Sequence, residues 1–293
     1  MNRTLLKALG SQWAATIYAA AVSVGLTFAL GRRLGPAVFG QYTYILTLAS
    51  LFAILQDGGF PMLLFRETAK ADLTTVPGRP GLMPMALGHL AATTALGLCL
   101  VPFFSGGEHL ALGAAVIYSA LLTAGALVSS QLKGHNNFAS EALWKALART
   151  TTALMAGAAL LSPSPGPAIV FLGLVIGQVL ALATPFAKPL AVIPRLVFCR
   201  EIYTPCAAFI CISAATTIYF RCDIVLLRQL TPDPAAVGNY AAAYRLIEGV
   251  IMLVTPLAHI FFRRLRVSFD DQAAFKQSLG VMLAIMVGLS VVA

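Results

Sequence analysis

Eight apolar runs of about twenty residues, and the opening of a ninth, follow one another along the chain with little between them but glycine, proline and isolated charges. They fall at residues 12–31, 41–64, 84–104, 109–131, 142–161, 167–187, 205–227 and 237–261, with a further start at 279. A helical run of that length crosses the roughly 30 Å hydrocarbon core of a bilayer. Backbone in hydrocarbon has no water to bond, so it must be helical or closed into a barrel, and barrel strands would read as alternating stretches of about ten residues. The expected fold is all-α: a polytopic helical membrane protein with one complete six-helix bundle and the first about three helices of a second, pseudo-symmetric bundle. The corresponding division is residues 1–187 for the first bundle, 188–204 for an inner-side linker and 205–293 for the partial second bundle.

Composition agrees with a bilayer environment. The 293 residues are 59% hydrophobic and only 11% charged, where a soluble domain carries about a quarter charged residues. The net charge of +9 does not point to nucleic acid, because Lys and Arg lie singly between apolar runs and form no basic patch. Arg3 and Lys7 precede a first run too long for a signal peptide and without a cleavage site, so it is read as a retained helix. With the N-terminus inside, fifteen Lys and Arg fall on the inner side and only Arg32, Arg33 and Arg228 on the outer side. This bias predicts a multi-pass membrane protein with a cytoplasmic N-terminus. The five cysteines show no ligand spacing and read as small packing residues.

Two stretches about two hundred residues apart repeat one pattern. GRRLGPAVFGQY and RQLTPDPAAVGNY each place a basic, Gly/Pro-marked turn between apolar runs. At an offset of 198, Gly40 meets Gly238, Tyr42 meets Tyr240 and Arg66 meets Arg264; upstream, Arg32, Leu34 and Pro36 meet Arg228, Leu230 and Pro232 once two residues are inserted around Asp233 and Pro234. Six spans separate the copies, which gives both the same orientation. Parallel repeats of this kind place substrate between the two halves.

Polar residues inside the runs mark the candidate site. Thr43, Thr47, Ser50 and Asp57 form one stripe on the second run; Arg245, Glu248, Thr255 and His259 form another on the eighth. An ionised group at mid-helix costs roughly 2.5–3.5 kcal/mol unless it meets a partner or water. Arg245 and Glu248, three apart, either neutralise each other or face a wet cavity. Asp57 has no such helical partner. Arg221 and Arg228 share a helical face suited to an anion, although Arg228 also suits a snorkelling anchor. No nucleophile elbow, zinc motif or P-loop is present, and neither a metal nor another cofactor is implied, so no enzyme activity is expected.

The stretch ALGRRLGPAVFGQYTYILTLASLFAILQDGGFPMLLFRETAK, together with YFRCDIVLLRQL and VGNYAAAYRLIEGVIMLVTP, resembles the polysaccharide and O-antigen (Wzx-type) flippases of the MATE-like (MOP) exporter superfamily. The likeness runs in register from the first helix to the eighth. Such proteins usually have 12 to 14 spans, so the resemblance implies a C-terminally truncated chain. It further implies export of an undecaprenyl-pyrophosphate-linked oligosaccharide by alternating access, in contact with membrane lipids. Arg245, Arg32 and Arg221 are the implied substrate-binding cations. Asp57, Glu248 and Asp223 are the implied ion-coupling or cavity-lining carboxylates, with H+ or Na+ as the ion. Alternatives are a cation-coupled drug exporter of the same superfamily and a non-transporting fragment or assembly subunit. A membrane enzyme of sugar synthesis would need a large outer loop, and the outer loops here are short.

Overall fold

In the computed structural model, residues 3–74, 81–231, 233–251, 261–262, 265 and 272–292 are described, with the side chains of 3–9, 72–74, 245–251, 274 and 285–292 left out. The described residues form nine α-helices and one 3-10 turn, and no strand. The helices are α1 (Arg3–Asp57), α2 (Phe60–Thr74), α3 (Leu82–Phe104), α4 (His109–Gly134), α5 (Phe138–Ala159), α6 (Pro167–Leu182), α7 (Arg200–Leu230), α8 (Pro234–Ile251) and α9 (Gln272–Val292). The 3-10 turn, Pro185–Leu190, follows α6.

The all-α membrane class holds. The helical stretches Gly10–Asp57, Leu82–Phe104, His109–Gly134 and Arg200–Leu230 are long and apolar enough to cross a bilayer. The first has 48 residues, which at about 1.5 Å each is more than twice the hydrocarbon thickness. It is two limbs, broken at Gly35, where φ is 74° and ψ 164°. The dipeptide Gly35-Pro36 writes that break. A residue before proline is pushed away from the helical ψ, the positive φ suits glycine, and Pro36 is pre-set to open the next limb.

Several expected boundaries shift. The run 41–64 is not one helix: α1 ends at Asp57, Gly58 and Gly59 take positive φ of 54° and 74°, and α2 restarts at Phe60. The run expected at 142 is already helical at Phe138, after Asn137 accepts a hydrogen bond from the Ser140 N–H. Helix α7 begins at Arg200, inside the stretch read as a linker, and α9 begins at Gln272 rather than 279. Thr255 and His259 lie outside the described residues.

The repeat acquires a physical meaning in the packing of α1 against α8. A Cβ added at Gly40 would collide with the Pro234 carbonyl and come within 3.0 Å of the Gly238 nitrogen. A Cβ added at Gly238 would collide with the Pro36 carbonyl and lie 3.1 Å from the Gly40 nitrogen. The contact is reciprocal, and it corrects the alignment: Pro36 corresponds to Pro234 at the uninterrupted offset of 198, not to Pro232. Each proline opens a helix and each glycine, four residues on, lets the other backbone approach. At α8 the Asp233 Oδ1 accepts a hydrogen bond from the Ala235 N–H at 2.8 Å and caps the start.

Inside the first half, α6 lies against α5 through Gly173 and Gly177, again four apart. A Cβ at Gly177 would stand 2.5 Å from the Thr152 Cα. The core beside this crossing packs Leu30, Phe39, Tyr42, Val116, Phe171 and Leu174, with the Tyr42 and Phe171 rings stacked at 4.9 Å. Gln56, 1% exposed, ties three elements: its Nε2 donates to the Val116 carbonyl at 3.1 Å and to the Thr94 hydroxyl at 3.3 Å, and its Oε1 accepts from Ser119 at 2.6 Å.

Candidate functional site

The close α5–α6 crossing leaves room on its other side. A cavity of about 420 Å³ opens among α1, α4, α5 and α6, walled by Thr16, Tyr118, Ser129, Lys145, Arg149 and Gln178 among others. Gly125 on α4 widens it, since a Cβ there would stand 2.9 Å from the Gln178 Nε2. A second cavity, about 230 Å³, lies between the two limbs of α1 and reaches α7, with Ser23, Thr43, Ser50, Arg149 and Arg221 in its wall. Tyr118, Leu122 and Arg149 line both, so the two adjoin. Among the described residues, neither wall contains an Asp or Glu. The joint space therefore carries Lys145, Arg149 and Arg221 with no carboxylate among the described residues of its surface.

Arg149 stands where the cavities meet. Its Nη2 donates to the Ser23 hydroxyl and its Nε to the Ala19 carbonyl at 3.5 Å, both neutral oxygens of α1. Among the described residues it forms no ion pair. Lys145, one turn before it, is paired at 3.2 Å with Glu141, whose side chain is fully buried. Glu141 also accepts from the Gln12 Nε2 at 2.6 Å and from the Ser129 hydroxyl. A guanidinium with donors to spare, beside an ammonium, in a site walled by apolar side chains binds phosphate-like anions well, because charge-assisted hydrogen bonds strengthen where water is excluded.

The expected site residues divide. Arg221 joins the cavity, as do Thr43 and Ser50 of the first polar stripe. Arg32 is exposed at the end of the first limb of α1 and lines neither cavity. Asp57 lies in neither wall and does have a partner: its Oδ1 accepts from the Gly59 N–H at 2.9 Å, closing the turn between α1 and α2. Asp223 bridges α7 and α8, accepting from the Tyr240 hydroxyl at 2.5 Å. The side chains of Arg245 and Glu248 lie outside the described residues. Arg149, Lys145 and Glu141 are the residues that sequence reasoning misses. Their signal is the spacing i, i+4 and i+8, one face of a helix.

A family model described as polysaccharide biosynthesis protein matches residues 5–262, most of the chain. The chain belongs to that polysaccharide biosynthesis protein family. Solved structures show the fold of this family member to be that of the MATE-like MOP superfamily. The MATE multidrug transporter DinF-BH, solved in complex with a ligand, superposes with a TM-score of 0.71 at 11% identity, over 99% of this chain and 71% of that one. A MOP superfamily transporter from Pyrococcus furiosus, described as having a binding pocket of reverse polarity that suggests a different function, gives 0.65 at 16% identity, over 98% and 71%. An outward-facing multidrug resistance MATE family transporter gives 0.62 at 16% identity with the same coverage. A comparison of the sequence with functionally curated proteins gives no match. This member of the polysaccharide biosynthesis family is a multi-pass helical membrane protein with the fold seen in MATE-like transporters.

Proposed function

We propose that the protein exports a lipid-linked oligosaccharide across the inner membrane for cell-surface polysaccharide synthesis, with the pyrophosphate of the undecaprenyl-linked substrate held in the cationic cavity. The observation that carries this reading is the wall itself: Lys145, Arg149 and Arg221 without a carboxylate among the described residues. An exporter of cationic drugs would need the opposite polarity, since a wall that offers cationic side chains, Arg149 foremost, and no carboxylate of its own among the described residues gives an organic cation nothing to pair with in a medium of low dielectric constant. Membership of a polysaccharide biosynthesis family supports the same choice. Arg149 and Lys145 join Arg221 as the proposed phosphate ligands, with Arg245 retained from the sequence. The two halves, 1–187 and 205–293 about the linker 188–204, would alternate access around this space.

Purified protein titrated with inorganic pyrophosphate is expected to gain thermal stability that rises with the logarithm of ligand concentration above Kd, as a native-state ligand must confer. A cationic rhodamine dye, in the same titration, is expected to have no effect. Stabilisation by the dye and not by pyrophosphate would establish the drug-exporter reading instead.

Ion coupling is assigned to Asp57, Asp223 and Glu248 in the same proposal. Asp57→Asn is the informative variant, because an amide oxygen still accepts from the Gly59 N–H while the charge is gone. Melting within about 0.5 kcal/mol of wild type, together with export that no longer responds to a proton or sodium gradient, is the expected result. Full gradient response in Asp57→Asn removes Asp57 from the coupling set and leaves it a turn residue.

A further inference from the structure

Glu141 is ion-paired with Lys145 of the cationic cavity wall, yet is not itself part of that wall. Its side chain is fully buried, while the side chain of its ion-pair partner Lys145 is 29% exposed and does line the cavity. The two differ in how firmly they are held. Glu141 is fixed from α1 by the Gln12 amide and from α4 by the Ser129 hydroxyl, and the Lys133 ammonium at the end of α4 also acts on it electrostatically. Lys145 has a flexible four-carbon stem and one carboxylate to hold it. Of the pair, the lysine is the mobile member.

Resting on the reading that this cavity takes an anion, we infer that Glu141 is a stand-in for that anion: it holds Lys145 while the cavity is empty and yields it when a phosphate group arrives beside Arg149. Glu141, Lys145 and Arg149 follow one another at four-residue intervals on α5, so Lys145 can turn from the residue one helical turn before it to a ligand held by the residue one turn after. When it does so, Glu141 keeps Gln12, Ser129 and the nearby Lys133, and is not left as a bare buried charge. The exchange makes anion binding weaker than the cations alone would make it. It also eases release, which a transporter needs as much as capture.

The test measures inorganic pyrophosphate binding to the purified protein by calorimetry. Glu141→Gln, which frees Lys145 and removes a competing charge, is expected to bind about tenfold more tightly, the worth of one charge-assisted hydrogen bond no longer surrendered. The gain is expected to vanish in the Glu141→Gln/Lys145→Gln double variant. A purely structural glutamate would give unchanged or weaker binding on substitution, and that result overturns the inference. Arg149→Gln serves as the separate control. If it leaves pyrophosphate binding intact, the anion reading of the cavity fails, whatever Glu141 does. Should Glu141→Gln not fold, infrared difference spectra of the wild-type protein decide: pyrophosphate is expected to shift a carboxylate stretching band as Lys145 leaves, and a saturating titration without that shift refutes the exchange.

Discussion

Arg149→Ala is expected to lower export by about 100-fold while the protein still inserts and folds. The substitution removes the cation at the junction of the two cavities, where its hydrogen bonds go to Ser23 and Ala19. Truncating one partner of a desolvated charge pair costs roughly 2–5 kcal/mol, and each 1.4 kcal/mol is about a factor of ten, so the loss should fall between about 30-fold and a few thousand-fold, a range that contains the 100-fold expected. Folding should tolerate it, because Ser23 can donate to its own Ala19 carbonyl, as it already does at 2.8 Å. Arg149→Lys should recover part of the activity, since a point charge replaces a two-pronged one. The check is cell-surface glycan in a strain dependent on this protein, normalised to membrane-inserted protein. Normal glycan with Arg149→Ala would remove Arg149 from the site.

Gly40→Leu is the second large effect. Its side chain would enter the space held by the Pro234 carbonyl and the Gly238 backbone, groups that belong to a helix and cannot rotate away. Overpacking of this kind costs typically 1–3 kcal/mol, and here the cost falls on the contact between the two halves. Lower thermal stability and loss of export are expected together. Gly238→Leu should give the same result, because the contact is reciprocal. Gly40→Ala, whose single methyl already meets the Pro234 carbonyl, should lose stability in the same direction. A near-wild-type melting temperature for both leucine variants would show that the glycines do not meet.

Much of the fold is legible in the chain because the bilayer demands long apolar runs wherever the backbone crosses it. The repeat is legible for a related reason. Proline followed four residues later by glycine is itself the contact between α1 and α8, so the repeated pattern is the interface. Its alignment is ambiguous in the sequence because Pro232 and Pro234 lie close together, and only the packing shows which opens the helix. Asp57 illustrates a different limit. In the sequence it interrupts an apolar run and looks like an intramembrane charge; in the structure Asp57, Gly58 and Gly59 end one helix and begin the next. The Asp-Gly-Gly signal for a turn is present but is masked by the apolar residues on both sides.

The cavity is the least legible part. Lys145 and Arg149 count among the inner-side charges, where they support the orientation, and that use conceals their place on the same helical face as Glu141. Because α5 starts at Phe138, both residues lie two and three turns inside a helix. What no reading of one chain supplies is which neighbouring helices surround that face. Here they are α1, α4 and α6, brought close by Gly173 and Gly177, and they turn a basic helix end into a cationic chamber.

The most direct test of the central claim is a leaflet assay in proteoliposomes. The purified protein is reconstituted with a fluorescent undecaprenyl-pyrophosphate-linked sugar, and the fraction accessible to a membrane-impermeant quencher is followed with time. The account predicts protein-dependent movement between leaflets that excess inorganic pyrophosphate inhibits and Arg149→Ala abolishes. Movement no faster than in protein-free vesicles, under a proton or sodium gradient of either direction, would contradict it.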